Sequence, residues 1–155
     1  MADIFDEFQN LIARFNQEQL DYAVCGGWAV AIHGAPRATV DIDLLVSAEN
    51  LSKAWKIAED LGYWVEGLPL SFDKGIIEIR RISKIDEATK TLFTIDFLLV
   101  TEGLKQVWET RENIDWEDDK VWTVSREGLI FMKQLSGRHK DLGDIESLRE
   151  MENES

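Results

Sequence analysis

The order of predicted elements points to an α/β (α+β) domain, a mixed β-sheet with helices packed against it. Three observations carry this. Apolar residues recur at helical spacing in two long segments, residues 3–18 and 50–61. Short apolar runs at 22–25, 42–46, 76–82, 92–100 and 121–124 read as buried strands between them. Gly26-Gly27, Gly62 and Gly137 punctuate the two kinds of segment where one gives way to the next.

Residues 3–18 place Ile4, Phe5, Phe8, Leu11, Ile12 and Phe15 on one helical face, with Asp3 as N-cap. A short buried strand, Tyr22 to Cys25, meets the Gly26-Gly27 turn, and a small helix follows. The next strand opens with Asp41-Ile42-Asp43. Ser47 or Asn50 caps a helix over roughly 50–61, which turns Leu51, Ala54, Trp55, Ala58 and Leu61 to one side and ends at Gly62. Residues 63–75, with Gly67, Pro69 and Gly75, read as an irregular strand and loop. Two strands, 76–82 and 92–100, are joined by the polar loop SKIDEATK. A short helix over 102–112 and a last strand, Val121 to Val124, come next. Ser125 caps a helix over about 126–136, Gly137 breaks it, and a final helix spans about 138–151.

At 155 residues with 45% hydrophobic content, the chain suits one domain over 1–155 with a real core. It has no run of eighteen apolar residues and no basic-then-apolar leader, so neither a membrane span nor a secretion signal is expected. The single cysteine, Cys25, excludes an internal disulfide and fits a reducing cytoplasm. The net charge of −13 disfavours bulk binding to nucleic acid, which needs many Lys/Arg–phosphate contacts. Six acids against one Arg in the last fifteen residues read as the solvated face of the final helix.

The residues that carry chemistry gather around 22–46. Asp41 and Asp43 alternate on an otherwise apolar strand and so share a face. Two like charges there are costly unless a cation or proton lies between them. Asp96, inside LFTIDFLLV, is a third carboxylate on a strand that otherwise reads as buried. Two readings are open for it. If its strand lies beside that of Asp41, the three carboxylates converge on a site suited to Mg²⁺. Otherwise Asp96 pairs with Arg80 or Arg81. Gly26 and Gly27 allow close backbone approach to a phosphate. Arg37 either reaches a triphosphate or is a surface arginine after Pro36, and Thr39 lies beside it. His33 is either a helix-packing residue or a substrate contact. Lys133, Arg138 and Lys140, with Asp141 and Asp144 sharing a helix face, either contact nucleotide or tie two helices together by ion pairs. Trp28, directly after the glycine pair, is placed either to stack on a base or to wall the site. Trp55, Trp64, Trp108 and Trp122 read as core, and Trp116, set among acids, as exposed.

The constellation of Cys25-Gly26-Gly27, a short helix, Asp41-Ile42-Asp43-Leu44 and a later Asp96 resembles the nucleotidyltransferase superfamily, whose fold is shared with DNA polymerase β. The longer stretches GGWAVAIHGAPRATVDIDLLV and KQLSGRHKDLGDIESL are similar to small bacterial members, among them abortive-infection-type toxins and lincosamide-type antibiotic nucleotidyltransferases. The resemblance covers residues 20–148. It implies the nucleotidyltransferase fold with C-terminal helices, and transfer of a nucleoside monophosphate from an NTP to a hydroxyl with release of pyrophosphate. It further implies that Asp41, Asp43 and Asp96 bind two Mg²⁺, with Mn²⁺ as the alternative ion, and that Asp96 helps to deprotonate the acceptor. Gly26 and Gly27 would cradle the triphosphate. In the toxin-like branch a C-terminal Lys and Asp assist nucleotide binding, and Lys133, Lys140 and Asp141 are the matching positions. Gly27 stands where many members have Ser, which leaves only backbone contact to phosphate. The acceptor classes are a tRNA end, a small molecule or a protein hydroxyl, and a homodimer or a cognate partner protein could complete the cleft. A binding role, as antitoxin or regulatory module of a toxin–antitoxin-like pair, is the alternative to catalysis.

Overall fold

The computed structural model describes residues 3–34, 41–136, 145–146 and 148–149. Its frame is an eight-stranded mixed sheet. The strands are β1 (Ala23–Cys25), β2 (Asp41–Val46), β3 (Val65–Glu66), β4 (Leu70–Phe72), β5 (Ile77–Asp86), β6 (Thr91–Leu99), β7 (Glu112–Trp116) and β8 (Asp119–Thr123). They run in the order β3-β5-β6-β2-β1-β8-β7, and β4 also pairs with β5. β2 lies parallel to β6 and β1 parallel to β8; the remaining pairings are antiparallel.

The helices are α1 (Ile4–Gln17), α2 (Gly26–Ile32), α3 (Leu51–Asp60), α4 (Lys105–Glu109) and α5 (Arg126–Ser136). Asp3 caps α1, since its Oδ1 accepts from the Asp6 amide at 2.9 Å. Phe8, Leu11, Ile12 and Phe15 are buried on the face that the spacing predicts. Gly62 ends α3 at φ +97°, with the Tyr63 amide donating back to the Ala58 carbonyl. No side chain caps the start of α3, neither Asn50 nor Ser47. Ser125 does cap α5: its Oγ accepts from the Gly128 amide at 3.1 Å.

Several expectations change. The β5–β6 hairpin is tighter than the polar loop implied, because its strands continue to Asp86 and restart at Thr91. Partners explain the extension. Ser83 and Thr94 hydrogen-bond to each other at 2.9 Å, and Lys84 reaches inward to Glu7 at 2.7 Å. The Asp86 carboxylate then closes the turn on the Ala88 amide and the Thr89 hydroxyl. The helix over 102–112 shrinks to α4 after one 3-10 turn, and the chain folds back into β7. Its hairpin with β8 turns at Glu117, which adopts φ +54°.

Trp116 is also not solvated. It packs against Phe5, Phe8 and Trp28, and Trp28 stacks on Phe8 with centroids 4.2 Å apart. Trp64 moves the other way, 70% exposed beside the edge strand β3. Trp108 and Trp122 flank the Arg111 guanidinium, 3.9 and 4.9 Å from their centroids. Of the final helix, residues 145–146 and 148–149 are helical, with Ile145 and Leu148 buried, and the rest of its predicted span lies outside the described residues. Among the described residues no helix is long and apolar enough to cross a membrane.

Candidate functional site

Strand register assembles the site. Cys25 of β1 lies opposite Asp43 of β2, Asp43 beside Asp96 of β6, and Asp96 opposite Arg81 of β5. Neighbours in register share a sheet face, so these four side chains form one row across four strands. Asp41, two residues before Asp43, adds a carboxylate to the same face, beside Thr94, which in turn faces Ser83. The strand order puts β6 beside β2, so Asp96 stands on the strand next to that of Asp41 and Asp43.

Asp96 also has an arginine partner. The Arg81 guanidinium donates through Nε to Asp96 Oδ1 at 2.7 Å and through Nη2 to Oδ2 at 2.9 Å. This is a bidentate pair, the strongest geometry open to an Arg and a carboxylate. Asp96 is 5% exposed. Asp96 has carboxylates on one side and an arginine on the other because β6 is flanked by β2 and by β5. The Asp96 hydrogen bond raises the Arg81 pKa further, burial works against it, and the charges of Asp96, Asp41 and Asp43 add to the rise. Arg81 therefore lies in the field of all three carboxylates.

The glycine turn meets this row at Asp43. Gly26 adopts φ +64°, and a Cβ built on it would overlap Asp43 Oδ2, with Cγ at 2.8 Å and Cβ at 3.0 Å. A bare backbone is the only arrangement that brings the start of α2 this close to the Asp43 carboxylate. Cys25, at the end of β1, is fully enclosed. Burial pushes its thiol well above the ordinary value, Asp43 and Asp96 push it further, and Lys133 opposes them. Lys133 is buried on α5, and its charge bears on the same thiol as the two carboxylates. α5 packs on α2, so one helix carries the lysine and the other the glycine turn.

The sequence-predicted residues divide as follows. Asp41, Asp43, Asp96, Gly26 and Gly27 come together where β1 ends and β2 begins, beside the middle of β6, with Lys133 acting on the same thiol as Asp43 and Asp96. Arg37, Thr39, Lys140 and Asp141 lie outside the described residues, as do Arg138 and Asp144. His33 closes α2 against β8, its Nε2 lying 2.8 Å from the Val124 carbonyl oxygen, which makes it a packing residue. Trp28 is buried against Phe8, and its indole nitrogen has no hydrogen-bond partner. Sequence reasoning named Arg81 as a partner for Asp96 but not as part of the site. The signal was the hairpin turn: with the turn at 87–90, position 81 falls opposite position 96.

The residues fit a divalent cation by the chemistry of their donors. Three carboxylates on one face offer hard oxygen ligands of the kind Mg²⁺ takes, and Arg81 already stands as a cation against one of them. Among the described residues no three His, Cys, Asp or Glu side chains converge into a ready-made metal cluster.

A glycine turn against a paired-carboxylate strand, with a third carboxylate on the adjacent parallel strand, defines a nucleotidyltransferase-type fold. The chain belongs to the family described as nucleotidyltransferase of unknown function (DUF6036), whose model matches residues 1–152. No curated protein matches. Solved structures share the fold. One is a candidate nucleotidyltransferase from Thermotoga maritima, with TM-score 0.63 and 16% identity over 97% of this chain and 93% of that one. A second is the lincosamide antibiotic adenylyltransferase LnuA with lincomycin bound, with TM-score 0.62 and 19% identity over 94% and 96%. A third is ANT(2")-Ia in complex with adenylyl-2"-tobramycin, with TM-score 0.64 and 15% identity over 92% and 85%.

Proposed function

We propose that this chain transfers a nucleoside monophosphate from an NTP to a hydroxyl acceptor with release of pyrophosphate, and does so with Mg²⁺ or Mn²⁺ held by Asp41, Asp43 and Asp96. The observation that carries the reading is the row itself: Asp43 and Asp96 in register on adjacent parallel strands, with Asp41 on the same face. Bound metal would neutralise the triphosphate and sharpen the acceptor hydroxyl as a nucleophile. The chain's own part is placement. The left-handed Gly26 lets the start of α2 approach the Asp43 carboxylate more closely than any Cβ would allow. Lys133, buried on α5, supplies positive charge on the nucleotide side. Catalysis in this reading is positioning and charge compensation rather than covalent chemistry. Lys140 and Asp141 are assigned to the nucleotide by resemblance, and Arg37 and Thr39 by their place just before Asp41.

The bidentate hold of Arg81 on Asp96 gives the binding-module reading its one specific support, since it ties up a carboxylate that catalysis would use. One experiment separates the two. The protein is incubated with each α-labelled NTP, Mg²⁺ and a cell extract, and the extract is then fractionated. Label in RNA ends, in a small molecule or in protein names the acceptor class and supports transfer. Absence of label with all four NTPs, in either metal, would leave the binding module as the account.

A further inference from the structure

The Arg81–Asp96 pair is lopsided. The Asp96 side chain is 7% exposed and that of Arg81 is 42% exposed. The carboxylate cannot reach water and needs a cation beside it, whereas the guanidinium can leave to solvent at small cost. Arg81 is also the far end of the register row that begins at Cys25 and passes through Asp43 and Asp96. Its backbone is pinned there, because its carbonyl accepts from the Gly67 amide at 2.9 Å and a Cβ on Gly67 would come within 3.3 Å of the Arg81 Cβ. The side chain projects from a fixed point and meets Asp96 through both guanidinium donors.

We propose that Arg81 is a positioning residue that serves as the built-in counter-ion of the carboxylate row: it holds Asp96 in place before metal arrives, then yields it to the divalent cation and thereby sets the cation affinity. The inference rests on the reading that the row binds metal. Two effects of Arg81 act in the same direction. It occupies both Asp96 oxygens, and its positive charge repels a divalent ion drawn to Asp41 and Asp43. Removing the charge therefore strengthens metal binding and weakens the metal-free fold, an opposition that a simple structural pair would not produce.

The test measures Mn²⁺ binding by electron paramagnetic resonance, together with melting temperature with and without Mn²⁺, for the wild-type protein, Arg81→Gln and Arg81→Lys. Arg81→Gln is expected to bind Mn²⁺ about tenfold more tightly, the effect of losing one charge at contact distance. It should melt lower without metal and regain the difference when Mn²⁺ is added. Arg81→Lys keeps the charge but loses the bidentate grip, so its affinity should fall between the two. If Arg81→Gln cannot be folded, Arg81→Lys binding more tightly than wild type still supports the role. Wild-type binding that neither variant tightens would overturn this inference and leave the metal reading intact. No Mn²⁺ binding by any of the three would overturn both.

Discussion

Replacing Gly26 with alanine isolates the contact between the glycine turn and the carboxylate row. Two costs can be worked from the geometry. The backbone sits at φ +64°, a left-handed conformation that costs an L-residue about 1–2 kcal/mol. The new Cβ also falls on Asp43 Oδ2, and its carboxylate must rotate out of its preferred well at about 0.5–1.5 kcal/mol. Together the substitution should destabilise the fold by about 2–3 kcal/mol, a melting-temperature loss of roughly 5–10 °C for a chain of this size. Transfer activity should fall by about a hundredfold, because Asp43 is displaced by about an ångström. Gly75→Ala is the control. Its φ of +90° carries the same kind of strain, but the nearest side-chain atom to its Cβ is Glu78 Oε1 at 3.7 Å. It should lose stability while keeping activity. Urea unfolding followed by tryptophan fluorescence, run beside the transfer assay, measures both quantities. A Gly26→Ala protein with wild-type stability and activity would refute the claim that the turn and Asp43 are built against each other.

Other outcomes follow from the same structure. The Glu7 carboxylate, 8% exposed, accepts from Lys84 at 2.7 Å and from the Tyr63 hydroxyl at 2.8 Å, so Lys84→Met strands a buried charge. It should cost about 3–5 kcal/mol in urea unfolding, and adding Glu7→Gln should recover at least half; a cost below about 1 kcal/mol would contradict the network. Burial raises the Tyr22 pKa from 10.0 to about 12, and burial with the Glu7 hydrogen bond raises that of Tyr63. These are the chain's two tyrosines. Their protonated forms are favoured in the folded state, so this stability is fully present below the unfolded value of 10.0 and is lost as pH rises toward about 12. For Tyr22 the loss amounts to about 2–3 kcal/mol. Tyrosinate absorbance should therefore lag behind that of the urea-unfolded chain in an alkaline titration, and coincidence of the two curves with the fold intact would count against the burial argument.

Much of the site was legible in the sequence because its chemistry conflicts with its surroundings. Asp41, Asp43 and Asp96 stand out as carboxylates on apolar strands, and Gly26-Gly27 as a break between a strand and a helix. Alternation along β2 gives the shared face of Asp41 and Asp43. Sheet order does not follow from local patterns. Whether β6 lies beside β2 depends on how the whole chain winds, so the sequence left Asp96 between a metal and an arginine. The fold sets the strand of Asp41 and Asp43 on one side of it and that of Arg81 on the other. The missed β7 has the same origin: ENIDW is too polar to read as a strand, and it forms one at the sheet edge, where Ile114 and Trp116 are half-buried and Trp116 meets Phe8 and Trp28. The exposure of Trp64 is equally a matter of position, since it borders an edge strand and no apolar pattern marks that edge. SKIDEATK read as a loop for its polarity, yet Ser83 and Lys84 find partners on β6 and α1 that only the folded chain provides.

The most direct measurement is transfer of label from an α-labelled NTP by wild type, Asp41→Asn and Asp43→Asn, each shown by circular dichroism to be folded. Asn keeps the shape and removes the charge, so the row stays in register while its hold on a divalent cation is lost. The expected result is acceptor labelling by wild type in Mg²⁺ or Mn²⁺, and labelling reduced by at least about a hundredfold in each variant. Full labelling by a folded Asp43→Asn protein would contradict the claim that the carboxylates of β2 and β6 are the centre of this chain's chemistry.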